Sequence, residues 1–312
     1  MNDLVIVGGG PAGASAGVYA ARKRLKTVLV VKEWGGQSTV SDNIQNWIGS
    51  PKISGQQLAE NLRKHVEMYA GDSLSIIFPD TAVSLKQDKD KVTVTLASGK
   101  TCEAKAVLIT AGAARRKLQI PGAEEYEQKG LTYCATCDGP LFEGKDVAVI
   151  GGGNAAFETA AQLLAYCKTV TLVVRGDTYR ADEITVRAVL AHPNMRVIKN
   201  ATPSAVIGEK FVTGLKWKDA KTGAEEVLSA EGIFVEIGLL PNTSWLADSI
   251  VLNKIGQIVV DSRTQRASVL ESETSRVWAA GDCTDGKYHQ NNIAAGDAVK
   301  ALEDIYFFIK SS

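Results

Sequence analysis

Two cysteines separated by two residues are the part of this sequence best suited to chemistry. Cys134 and Cys137 stand in the run Cys-Ala-Thr-Cys-Asp-Gly. Thiols at this spacing can close a disulfide with little backbone movement, and such pairs carry two electrons by thiol–disulfide exchange. Half of a zinc site has the same spacing. The sequence has no second CxxC or CxxH, and Cys102, Cys167 and Cys283 are isolated, so we expect a redox pair and no metal.

Two glycine-rich turns flank this pair along the chain. Each follows a short apolar run and precedes an alanine-rich stretch, after which a β-branched run returns. The motif positions are Gly8, Gly10 and Gly13 in the first turn, and Gly151, Gly153 and Ala156 in the second. In a dinucleotide-binding βαβ unit the first glycine permits the tight turn, the second lets the backbone approach a pyrophosphate, and the third position must be small. The sequence therefore predicts two such units.

The bulk composition excludes several classes of function. The chain has 312 residues, and Lys+Arg and Asp+Glu are both 35, so the net charge is zero. That balance gives no general attraction to nucleic acid or to an anionic membrane. No run approaches the ~20 apolar residues of a membrane span. The apolar run 4–7 follows the first methionine too closely for a signal peptide, so we expect a cytoplasmic protein.

The remaining patterns predict an α/β fold with two Rossmann-like, three-layer ββα domains, the second inserted into the first. Residues 91–96 alternate like a hairpin strand, 107–109 form a buried strand, and 203–228 form a second hairpin region. Residues 275–281 form a strand, and a helix follows through Tyr306. We place one domain at residues 1–113 and 247–312, and the inserted domain at 114–246.

The order of these motifs resembles that of the low-molecular-weight thioredoxin reductases over essentially the whole chain. The shared runs are 8–13, 34–37, 134–139, 151–156 and 279–282. Other stretches, such as 232–242, are similar to the flavoprotein subunit of alkyl hydroperoxide reductase, which has an additional N-terminal thioredoxin-like domain. The resemblance implies a stand-alone, homodimeric pyridine nucleotide-disulfide oxidoreductase of class II. Its partner would then be a separate thioredoxin-like protein.

The resemblance also implies FAD in the first domain and a nicotinamide nucleotide in the inserted one. The expected FAD contacts are Gly8, Gly10, Gly13, Glu33, Gln37, Asn46, Asp282, His289 and Gln290. The expected nucleotide contacts are Gly151, Gly153, Asn154, Ala156, Arg175 and Arg180. The types of the residues support the expected FAD contacts at two points. Asp282 at a strand end suits polyol hydroxyls, and the neutral amides of Gln37 and Gln290 suit the flavin's polar edge; each glutamine is equally well interpreted as a surface residue.

In the family, a hydride passes from the nicotinamide to the flavin, and two electrons then pass to the disulfide. The second cysteine faces the flavin and the first attacks the partner, which assigns these roles to Cys137 and Cys134. Asp138 is placed to give or take the proton of a thiolate. The alternative for Asp138 is an aspartate that only stabilises the turn.

The electron donor is where the pattern departs from the family. NADPH-dependent members carry a histidine and three arginines after the second strand of the inserted domain, and here only Arg175 and Arg180 remain. NADH-preferring relatives carry a glutamate where this chain has Val174. The two arginines favour NADPH over NADH, although both are also typical of an ordinary surface. His289 stands where a basic residue normally precedes the glutamine.

Two further hypotheses stay open at this point. The incomplete arginine set is compatible with a relay that takes electrons from ferredoxin, or with a dithiol oxidase. A non-catalytic redox sensor or binding scaffold would retain FAD and a reducible CxxC but would not turn over with any carrier.

Overall fold

We describe a computed structural model of the chain over residues 1–41, 44–246, 248–270 and 274–311. The chain divides into two compact units, residues 1–114 with 240–312, and residues 115–239. The sequence-based boundaries fall after residues 113 and 246, and boundary residue 247 lies outside the described residues. The run 240–246 groups with unit 1 because Asn242 donates a backbone hydrogen bond to Gly112 and Leu246 is fully buried in that unit's core.

Strands and helices are numbered along the chain. Unit 1 contains β1 (Asn2–Gly9), α1 (Pro11–Arg22), β2 (Thr27–Trp34), α2 (Gly55–Glu67), β3 (Leu74–Ile77), β4 (Ala82–Gln87), β5 (Val92–Leu96), β6 (Thr101–Ile109), β17 (Val277–Ala279) and α6 (Asn291–Ser311). Two short strands, β7 (Ala113–Arg115) and β16 (Leu239–Pro241), span the boundaries and pair with each other. The predicted strands at 91–96 and 107–109 are confirmed as β5 and the end of β6.

The sheet of unit 1 has the order β3-β2-β1-β6-β5-β4, and β17 also pairs with β6. The pairs among β1, β2, β3, β6 and β17 are parallel, whereas β4 and β5 form an antiparallel extension. A strand that is buried on both faces of a sheet has a continuous apolar run in its sequence. In β1, Leu4 and Ile6 pack with the alanine-rich α1 and with α6, and Val5 and Val7 pack on the opposite face.

Unit 2 repeats this plan on a smaller scale. It contains β8 (Leu131–Thr132), α3 (Ala135–Asp138), β9 (Asp146–Ile150), α4 (Asn154–Leu163), β10 (Thr169–Val173), α5 (Glu183–Leu190), β11 (Met195–Ile198), β12 (Ala201–Gly208), β13 (Val212–Asp219), β14 (Glu225–Ser229) and β15 (Gly232–Val235). The parallel sheet has the order β11-β10-β9-β15-β8, and β12-β13-β14 form a separate antiparallel layer. The region predicted as a hairpin at 203–228 is therefore a three-stranded meander.

Both units thus have the predicted Rossmann-like α/β architecture of helices against a parallel sheet. The antiparallel strands extend that sheet in unit 1 and form a separate layer in unit 2. Each βαβ unit begins with a strand, a glycine turn and a helix, as the motif spacing predicts. Within the described ranges, no helix is both long enough and apolar enough to cross a membrane.

Candidate active site

Cys134 and Cys137 are joined by a disulfide, with their Cα atoms 5.3 Å apart. Both side chains are partly exposed. Cys134 is the N-cap of the single-turn helix α3, and its Sγ accepts a hydrogen bond from the Cys137 N–H at 3.2 Å. Gln162 of α4 holds this turn, because its Nε2 donates to the Ala135 carbonyl and its Oε1 accepts from Thr136 Oγ1, each at 3.2 Å. The sequence thus forms a redox-competent pair on an anchored turn.

Asp138 follows the pair and has an environment that changes its acidity. Its backbone N–H donates to the Cys134 carbonyl at 3.0 Å, and its Oδ2 accepts a hydrogen bond from Thr132 Oγ1. The same Thr132 oxygen accepts from the Cys134 N–H at 3.3 Å. Burial raises the pKa of the Asp138 carboxyl, and the Thr132 hydroxyl and the Arg115 cation oppose that rise. A carboxyl with a raised pKa is better suited than an ordinary one to hold and donate a proton.

Asp138→Asn tests this proton-transfer role. The amide has the same size but cannot exchange a proton, so we expect the rate of thiol–disulfide exchange at Cys134 and Cys137 to fall about 100-fold. Donation needs the protonated acid, so wild-type activity should decline as the pH rises through the raised pKa of Asp138. This decline at high pH should be absent in the variant. The measurement is steady-state turnover of both proteins across a range of pH.

Thr132→Val is the matched control for Asp138. It keeps the carboxyl and removes a hydrogen bond that lowers the pKa of Asp138, so the decline in activity should move to higher pH. An unchanged pH profile in Asp138→Asn would assign Asp138 to the turn alone.

A cavity of about 460 Å³ lies in unit 1 at the carboxyl ends of its parallel strands. Predicted residues that line it are Gly8, Gly10, Glu33, Gln37 and Asp282. Its volume is in the range of small-molecule and cofactor sites, which is about 300–1,000 Å³. Glu33 stands at the end of β2, where a carboxylate can accept hydrogen bonds from ribose hydroxyls. A Cβ added at Gly10 would meet no atom within 4 Å, so the turn leaves room for a phosphate. These residues fit FAD.

In the first glycine turn, the backbone at Gly13 lies very close to the backbone at Gly8. Gly8 has a φ of +128°. A Cβ at Gly13 would come within 1.8 Å of the Gly8 carbonyl oxygen and within 2.9 Å of Thr110 Oγ1. Only a hydrogen fits there, so Gly13 is required by the turn itself, although it does not line the cavity among the described residues.

Three predicted FAD residues also lie outside that cavity's described lining. Asn46 Nδ2 donates to Gln290 Oε1 at 3.1 Å, and the Asn46 carbonyl accepts from Asn292 Nδ2 at 2.7 Å. His289 Nδ1 lies 3.5 Å from Asp282 Oδ1. These contacts tie the loop around residue 46 and the start of α6 together beside Asp282.

The second glycine turn repeats the first in unit 2. A Cβ at Gly151, whose φ is +154°, would come within 2.4 Å of the Glu236 carbonyl oxygen and 2.8 Å of the Ala156 Cβ. Ala156 is fully buried, as the third motif position requires. Gly153 is the N-cap of α4. Asn154 Oδ1 accepts from the Asp182 N–H at 2.8 Å, so this side chain holds the loop before α5.

The two predicted arginines are exposed at the edge of unit 2 where β10 ends. The Arg180 N–H donates to the Gly152 carbonyl at 2.7 Å, which places Arg180 beside the glycine turn. Val174, at the position where NADH-preferring relatives carry a carboxylate, is buried against Gly152. Lys199 follows β11, which is paired with β10, and its Nζ lies 4.3 Å from the centre of the Tyr179 ring.

Sequence reasoning assigned no role to several residues that the structure brings to these sites. Asn242 and Trp245 line the unit 1 cavity, and the Asn242 side chain donates to the Ala111 carbonyl at 2.9 Å. The sequence signals for Asn242 were the Pro-Asn-Thr run at the end of β16 and the similarity of 232–242 to the flavoprotein subunit of alkyl hydroperoxide reductase. Glu236, a lone acidic residue at the end of an apolar strand, was likewise given no role. Among the described residues no cluster of His, Cys, Asp or Glu is arranged to hold a metal ion.

Comparison with known proteins agrees with this geometry. Residues 2–298 match the family model described as pyridine nucleotide-disulphide oxidoreductase. The chain is 40% identical over 307 residues to an alkyl hydroperoxide reductase subunit of Staphylococcus aureus (strain MRSA252), covering 98% of this chain and 59% of that protein. It is 39% identical over 299 residues to an NADH dehydrogenase of Bacillus subtilis (strain 168), covering 96% and 57% respectively. Thioredoxin reductase from Giardia duodenalis superposes with a TM-score of 0.91 at 31% identity, covering 99% of each chain.

The fold defines a protein with two Rossmann-like α/β units, as in the thioredoxin reductase structure. The chain belongs to the pyridine nucleotide-disulphide oxidoreductase family. The family implies FAD and a nicotinamide cofactor, as the resemblance of the motifs also implied. The chain spans about three fifths of the length of its curated relatives.

Proposed function

We propose that this chain reduces the disulfide of a thioredoxin-like protein through Cys134 and Cys137, with NADPH as the electron donor. The observation that carries the proposal is the partly exposed Cys134–Cys137 disulfide beside a carboxyl of raised pKa. FAD, held by the cavity of unit 1, would supply the chemistry that converts a nicotinamide hydride into an electron pair for a disulfide.

The two cysteines then complete the transfer by thiol–disulfide exchange. The Cys134 thiolate attacks one sulfur of the partner disulfide, forms a mixed disulfide and releases the partner's other sulfur as a thiolate. The Cys137 thiolate attacks the Cys134 Sγ, which re-forms the internal disulfide and releases the second partner sulfur. Two protons are taken up by the released thiolates, and Asp138 is placed to deliver one of them.

The electrostatics of unit 2 support NADPH. Arg175, Arg180 and Lys199 put cations at the end of β10 and β11, where a 2′-phosphate would lie, and Val174 offers no carboxylate to a ribose hydroxyl. NADH is the second candidate, because a relative of 39% identity is named an NADH dehydrogenase.

Arg175→Ala and Arg180→Ala should separate these donors. Losing a charge-assisted contact to the 2′-phosphate is expected to raise the KM for NADPH about 10- to 100-fold and to leave the KM for NADH nearly unchanged. Arg187→Ala, which removes an exposed arginine of α5 in the same unit, is the matched control. Equal effects on both donors, or none, would contradict a 2′-phosphate site at these arginines.

The partner is tested by measuring turnover with separate protein disulfides. The flavin-loaded chain is given NADPH and either a thioredoxin or a peroxiredoxin of the hydroperoxide-reducing type. The second substrate is included because a relative is named as part of alkyl hydroperoxide reductase. Rapid reduction of the thioredoxin supports the proposal. If only the peroxiredoxin is reduced, the partner is a peroxiredoxin and not a thioredoxin. If neither protein is reduced, the proposed activity as a protein-disulfide reductase is excluded.

A homodimer and a cytoplasmic location complete the proposal. The homodimer is supported by the sequence resemblance, and sedimentation of the loaded protein would test it. The cytoplasmic location is supported by three cysteines that remain free in a chain whose one disulfide is the redox pair, which suits a reducing compartment.

A further inference from the structure

A buried carboxylate stands at the carboxyl end of β15, directly against the second glycine turn. The Glu236 side chain is only 9% exposed. Its backbone N–H donates to the Ile150 carbonyl at 2.8 Å, and its own carbonyl is the atom that a Cβ at Gly151 would strike. Glu236 therefore has a fixed position beside the turn that would hold a pyrophosphate.

Two residues hold this carboxylate, and one oxygen retains capacity for a ligand. Thr159 Oγ1 of α4 donates to Glu236 Oε1 at 2.9 Å. Arg115 Nη1 lies 3.6 Å from Oε2, which is beyond a good hydrogen bond. Burial raises the pKa of Glu236, and Arg115 and the Thr159 hydroxyl oppose this rise. Oε2 therefore faces Arg115 at a distance longer than a normal hydrogen bond, and a carboxylate oxygen in that position can still accept a hydrogen bond from a ligand N–H.

The strand order indicates which part of a dinucleotide would reach Glu236. The strands β10 and β11 lie on one side of β9, and β15 lies on the other side. The strand order therefore reverses between β9 and β15. Ligands of such sheets bind outside the carboxyl ends of the strands at this switch point. Arg175 and Arg180 follow β10 and therefore belong to the adenosine side. The nicotinamide half must extend from the turn towards β15 and Glu236.

We propose that Glu236 Oε2 accepts a hydrogen bond from the carboxamide N–H of the nicotinamide, with Arg115 and Thr159 as positioning residues. This inference rests on the proposed use of a pyridine nucleotide and assigns a determinant of specificity at its nicotinamide end. The carboxamide supplies the N–H donors that a carboxylate requires. The contact would select against nucleotides whose ring carries a group without a donor.

The test is calorimetric binding to the flavin-loaded protein, with no turnover. The probes are NAD⁺ and NADP⁺, each compared with its 3-acetylpyridine analogue, in which a methyl ketone replaces the amide. Wild type should bind the natural nucleotide about 10- to 100-fold more tightly than the analogue. Glu236→Ala should lose this discrimination, because binding of the natural nucleotide weakens while binding of the analogue changes little.

Two further variants keep the test decisive if Glu236→Ala does not fold. Glu236→Gln keeps the size of the side chain and should reduce the discrimination without removing it. Glu231→Gln removes an exposed carboxylate just before β15 and should leave it unchanged. The inference would be overturned if both Glu236 variants still discriminate between the nucleotide and its analogue, or if binding of both ligands weakens equally. Either result would leave the proposed function standing. Failure of wild type to bind any nucleotide would overturn the proposed donor as well.

Discussion

Cys134→Ser and Cys137→Ser are each expected to lower the rate of partner-disulfide reduction by about 10³-fold or more. A serine hydroxyl cannot form the mixed disulfide, and it is not ionised near neutral pH as a thiol can be. Loss of a nucleophile that acts as part of a unit removes most of the catalysis. The measurement is NADPH-dependent reduction of a thioredoxin disulfide by the flavin-loaded variants.

The two variants should also differ from each other. In Cys137→Ser the Cys134 thiolate can still attack the partner but cannot be released, so a covalent complex should accumulate and be visible on a non-reducing gel. Cys134→Ser should form no such complex if Cys134 is the attacking residue. Cys102→Ala, at a buried free cysteine of β6, is the matched control and should retain activity. Full turnover in either serine variant would exclude the Cys134–Cys137 pair from the reaction.

Gly13→Ala is expected to abolish FAD retention and to destabilise the chain. The added Cβ would lie 1.8 Å from the Gly8 carbonyl oxygen, which is backbone and cannot move aside without opening the turn. Overpacking of this kind costs about 1–3 kcal/mol, and more where backbone must shift. Flavin content after gel filtration and the Tm of the apoprotein measure the two effects.

Gly10→Ala distinguishes an effect on FAD binding from an effect on the stability of the turn. Its Cβ would meet no atom within 4 Å, and Gly10 has a φ of −77°, so the apoprotein should keep its Tm. Because Gly10 lines the cavity, the same methyl group should still weaken FAD binding. Gly296→Ala, at an open exposed position of α6, is the control and should retain FAD with equal or greater stability. A Gly13→Ala variant with normal Tm and flavin would contradict our account of the turn.

Local patterns allowed the fold to be predicted because each constraint acts within a few residues. Gly13 and Ala156 occupy the third position of their motifs, and in the structure each position accepts only a small side chain. The predicted α/β class and the βαβ units follow directly from such turns. The C-terminal helix was predicted to end at Tyr306, which was wrong. It continues to Ser311 because Ile309 is still part of the buried helix face.

The Glu236 environment could not be predicted because it joins distant parts of the sequence. Arg115, Thr159 and Glu236 come from β7, α4 and the residue after β15 and meet only when the parallel sheet forms. A single acidic residue at the end of an apolar strand has no distinctive periodicity. The same reasoning applies to Asn242, whose approach to the unit 1 cavity depends on the chain returning to that unit near residue 240.

The most direct test of the central claim is a count of thiols during anaerobic reduction. The flavin-loaded protein is titrated with NADPH, and separately with NADH, while the flavin absorption band is followed and thiols are counted after denaturation. Oxidised protein should show three thiols, those of the free cysteines, and reduced protein all five cysteines of the chain. Flavin bleaching together with this rise from three to five is the predicted result. Bleaching with the count fixed at three would show that electrons never reach Cys134 and Cys137. No bleaching by either nucleotide would exclude a nicotinamide donor.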